Sequence, residues 1–100
     1  GMGCSEALED DLEELEAAAI DLIRRQESAD ADATDEQQFV GVIDHVTNTY
    51  PIPAGSTRAH AEHISRMYRA RTNDTAVRKR IATERHLFLR EHCEGYDPQF

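Results

Sequence analysis

The chain has 100 residues, 39% of them apolar and 31% charged, with six aromatics, no Trp and a formal net charge of −9. That length allows one domain with one core; no apolar run approaches the ~18 residues of a membrane span, and so few aromatics argue against an aromatic ligand cage. The two cysteines, Cys4 and Cys93, make neither a CxxC pair nor a disulfide framework, so free thiols in a reducing, cytoplasmic setting are expected.

Charge is divided between the halves. Residues 1–50 carry 14 Asp/Glu and 2 Lys/Arg, a net of −12, whereas residues 51–100 carry 6 and 9, a net of +3. Either the halves neutralise each other within one fold, or one of them faces a charged partner. Ten Arg to one Lys is the usage of a high-GC, bacterial coding sequence. Gly1 before Met2 reads as the scar of an expression tag, with Met2 as the natural start. The acidic N-terminus lacks the basic region of a signal peptide. Met2-Gly3-Cys4-Ser5 fails the myristoylation pattern, because Ala7 stands where Ser or Thr is required.

In chain order, the first predicted helix covers about 6–27. Ser5 is its expected cap, and Leu8, Leu12, Leu15, Ala19 and Leu22 recur at spacings of 4, 3, 4 and 3. Ala18 and Ile23 widen this seam, and Glu9, Asp10, Glu13, Glu14 and Glu16 occupy the opposite face. The seam is narrow enough to suit an intersubunit contact as well as an intramolecular one. Residues 28–33, SADADA, form a polar linker. A second helix over 34–48 starts at Thr34, with Gln37 closing a capping box. Its apolar stripe is Phe39, Ile43, Val46 and Tyr50, widened by Val40 and Val42.

Pro51-Ile52-Pro53-Ala54-Gly55 ends that helix, since residues before proline are pushed out of the α region. Ser56 or Thr57 then caps a third helix over 56–71, with His60, Ala61, Ile64, Met67 and Tyr68 facing inward. Thr72-Asn73-Asp74 breaks the chain again. The fourth helix, 75–94, buries Val77, Ile81 and Phe88 with Leu87 and Leu89 beside them, and Gly95 stops it before a tail over 95–100. Four amphipathic segments with short connections predict an all-α fold, a small antiparallel four-helix bundle whose core dimerisation would help complete.

No catalytic signature is present: phosphate-binding glycine loops and Gly-x-Ser-x-Gly elbows are absent, and no cofactor is implied. Neighbouring Cys93 and His92 diverge by ~100° on a helix and do not make a nucleophile–base pair. Three binding chemistries can be read. The first is protein binding: seven carboxylates in the eleven residues Glu6–Glu16 offer a negative surface. Glu9, Asp10, Glu13 and Glu16 would steer a basic partner, and Leu8, Leu12 and Leu15 would anchor it. The second is a metal or redox site on His60 and His63, three apart on one helix, with Glu84 from the fourth helix. This falls short of the di-iron pattern, because no Glu stands three before a His. The third is nucleic-acid binding through the Arg-rich third and fourth helices, which the net negative charge opposes.

Overall fold

The structure, a computed structural model, describes residues 2–96, with side chains from residue 6 onward. Within that range it is all-helical: α1 (Met2–Glu27), α2 (Ala33–Thr49), α3 (Ser56–Arg69) and α4 (Asp74–His92). No helix among the described residues is long and apolar enough to cross a membrane.

The helices are those the apolar spacing predicts, but their caps differ. α1 begins at Met2, so Ser5 lies within the helix and not at its cap. α2 is capped two residues earlier than expected. Asp32 Oδ1 accepts from the backbone N–H groups of Thr34 (2.9 Å) and Asp35 (3.2 Å), and Asp35 Oδ2 accepts from Asp32 N–H (3.0 Å). An ionised carboxylate outcompetes the Thr34 hydroxyl for these orphan donors and suits the positive end of the helix dipole. The predicted linker is therefore shortened to 28–32. Gly55 caps α3 with φ +89°, a conformation that favours glycine, leaving Ser56 and Thr57 inside the helix. Asn73 caps α4 through Oδ1, 2.9 Å from Ala76 N–H.

α1 is the spine. It packs on α2, α3 and α4; α3 also touches α2 and α4, while α2 and α4 do not meet among the described residues. The Leu seam of α1 is consumed inside the single chain. Leu8, Leu12 and Leu15 are each 0% exposed and pack with Ile43, Val46, Phe88 and Leu89. A second layer joins Ala19, Ile20 and Ile23 to Ile64, Tyr68 and Ile81. Of the two contacts the seam suits, the intramolecular one is formed: it is buried against the chain's own helices.

Three sequence expectations are corrected. Cys93 is buried and disulfide-bonded, so it is not the free thiol that the cysteine spacing suggested; the side chain of Cys4 lies outside the described residues. Val40 and Leu87, read as widening or flanking the core stripes, are the large apolar side chains left exposed among the described residues, at 41% and 44%. Glu16, read as solvent-facing, is buried.

Candidate functional site

The acidic and basic halves meet at a few defined points. At the far end of α1, Arg71 donates to both oxygens of Glu27 (3.0 and 2.6 Å) and to the Tyr68 carbonyl (2.8 Å). Its guanidinium lies 3.9 Å from the Tyr68 ring centre. The bond from Arg71 holds the Glu27 carboxyl below the usual carboxylate range. In the middle of α1 the contact is internal. Glu16 accepts from Arg85 Nε at 2.8 Å and lies 2.9 Å from His60 Nε2. An ionised carboxylate only accepts, which places the ring proton of His60 on Nε2. Arg85 also reaches Glu13 at 3.2 Å. This node joins α1, α3 and α4, and the apolar spacing gave no sign of it.

Two further pairs bracket α1. His86 of α4 lies 3.6 Å from Glu9, and His45 of α2 lies 3.4 Å from Asp11. Tyr50 Oη donates to the same Asp11 at 2.5 Å. Burial, and then the bond to Asp11, push the Tyr50 phenol up to about 12. The fold therefore favours the neutral phenol. That contribution is complete below the ordinary tyrosine value of about 10 and is lost as pH rises through about 12. Phenolate absorbance followed against pH should show Tyr50 shifting down, toward the ordinary value, in an Asp11→Ala variant; an unchanged titration would mean that Asp11 does not hold the phenol.

The expected steering and anchoring residues separate accordingly. Leu8, Leu12, Leu15 and Glu16 are buried. Glu9 and Glu13 are engaged by His86 and Arg85. Asp10 stays exposed, as do Glu14 and Asp21 along the same outer strip. α2 continues this surface. Its sequence holds no Lys or Arg, and Glu36 and Asp44 are exposed. Glu14 of α1 and Gln38, Gly41, Val42 and His45 of α2 line a groove of about 340 Å³ between the two helices. The sequence reading gave Glu36, Gly41 and Asp44 no part in a partner surface and placed Val40 on the apolar stripe. A glycine in mid-helix was the one local signal available.

The three candidate metal ligands do line one groove, of about 300 Å³, between α3 and α4. His63 and Glu84 face each other at 3.6 Å, whereas His60 is turned to Glu16, and its ring packs 4.8 Å from that of Phe88. Among the described residues no three His, Cys, Asp or Glu side chains are placed to hold one ion. Of the basic residues proposed for nucleic acid, Arg78 is tied to Asp74 at 3.1 Å and Arg71 to Glu27, while Arg66, Lys79 and Arg80 are exposed.

No protein-family description matches the chain, and neither the curated proteins nor the solved structures include a significant match.

Proposed function

We propose that this protein is a small helical binding module that presents its α1–α2 face to a basic protein partner, and that it is not an enzyme. One observation carries the reading. Asp10 and Glu14 on α1 and Glu36 and Asp44 on α2 stand exposed on two neighbouring helices, while nine of the eleven Lys and Arg residues belong to the second half of the chain. Pairing with Arg71 and Arg85 partly neutralises Glu27, Glu16 and Glu13 and leaves this outer set without a cationic partner of that kind, so the negative field lies on the α1–α2 face. The pairs Arg25–Asp35 and Asp11–Tyr50 run in opposite senses along α1 and α2, which supports antiparallel neighbours. The disulfide at Cys93 fits an oxidising compartment better than the cytoplasm.

The test is fluorescence anisotropy with a labelled arginine-rich amphipathic peptide. Binding should weaken as salt is raised and collapse when Asp10, Glu14, Glu36 and Asp44 are changed together to Lys. Absence of binding at low salt, or binding indifferent to those four changes, would refute the reading.

A further inference from the structure

The outer face of α2 carries a combination that the interior of the molecule does not explain. Val40 is 41% exposed. Glu36 and Asp44 stand one turn to either side of it on the same face and are both exposed. Gly41 follows Val40 in mid-helix, where glycine is among the poorest helix residues. A Cβ built at Gly41 would meet nothing within 4 Å, so no contact within the chain requires the missing side chain. Bare backbone at such a place permits close approach by something from outside. The groove that Gly41 lines runs on to Glu14 of α1.

We infer that Val40 and Gly41 mark the centre of a docking surface for one basic amphipathic helix. An apolar side chain of that helix lies against Val40 and the bare backbone at Gly41, and Arg or Lys residues one turn away reach Glu36 and Asp44. Recognition is then helix on helix, read through anchors at helical spacing. A second copy of the chain is a poor occupant. Two α2 faces would oppose carboxylate to carboxylate, and Leu87, the other large apolar residue exposed among the described residues, is flanked by Glu84 and Glu91 as well as Arg90.

The inference rests on the binding-module reading above and is tested with the same peptide: leucines on one face, arginines on its flanks, and a control with glutamates replacing the arginines. The arginine peptide binds and the glutamate peptide does not. Val40→Ser and Gly41→Leu, each checked for an unchanged helical circular dichroism spectrum, weaken binding about tenfold or more. Gly41→Ala raises the urea midpoint, as expected of a glycine not needed for folding. Binding of the arginine peptide that neither Val40→Ser nor Gly41→Leu disturbs overturns this inference but leaves the acidic-face reading intact. No binding of the arginine peptide overturns both, and concentration-dependent self-association abolished by Gly41→Leu makes a second copy the occupant and overturns the proposed partner.

Discussion

Glu16→Ala is expected to destabilise the protein by about 3 kcal/mol, the lower part of the range for removing one member of a buried ion pair. The side chain is 3% exposed and accepts from both His60 and Arg85. Its loss strands a buried imidazole and a guanidinium whose side chain is only 15% exposed, and the second bond from Arg85 to the half-exposed Glu13 offsets part of the cost. Glu16→Gln should be milder. Its carbonyl oxygen still accepts from Arg85, and His60 can turn its ring nitrogen into an acceptor for the amide. Replacing Glu16, His60 and Arg85 together by apolar residues of similar volume should recover most of the loss, because burying these groups is itself unfavourable. Urea denaturation followed by circular dichroism measures all three variants. A Glu16→Ala protein within about 1 kcal/mol of the parent would mean that the node contributes no more than an exposed pair.

Leu12→Ala should cost as much or more, about 3–5 kcal/mol. Leu12 is 0% exposed and lies in the layer formed with Ile43, Val46, Phe88 and Leu89. Truncation loses the transfer of three heavy atoms from water and leaves a cavity that three flanking helices cannot all collapse into. For a domain of this length each kcal/mol lowers Tm by roughly 4–8 °C, so the variant should melt well below the parent. Leu12→Met, which nearly conserves volume, should cost less than about 1.5 kcal/mol. The same variant separates the two roles considered for this residue. At a temperature where Leu12→Ala remains folded, it should bind the arginine-rich peptide as the parent does. Weakened binding without a lowered Tm would return Leu12 to the docking surface.

Much of the architecture was legible because the helical period is a local property. The 4-3-4-3 spacing from Leu8 to Leu22 and the stripe from His60 to Tyr68 each became a buried face. At the start of α2 the pattern pointed to Thr34 alone and left Asp32 in the linker. Asp32 was available two residues before Thr34, and the backbone took the carboxylate.

The functional surface was less legible, and the misplacements share one cause. Periodicity assigns residues to faces of a helix but does not say how many neighbours cover each face. The second-half residues His60 and Arg85 fold against α1, so Glu16 on its polar side became interior. The stripe of α2 met fewer neighbours than its width allowed, and Val40 was left outside. The apolar seam of α1, which in sequence suited either a partner or a core, was claimed by three helices of its own chain.

The sequence by itself therefore determined the four helices, most of the buried faces and the division of charge, since each depends on residue type and spacing along the chain. Tertiary structure alone decided which carboxylates are spent on internal pairs and which face outward, and whether Cys93 is a thiol or half of a disulfide. Those outcomes depend on side chains brought together from distant positions, 39 residues apart in Tyr50–Asp11 and 72 in Arg85–Glu13, and separations of that size leave no periodic trace in the sequence.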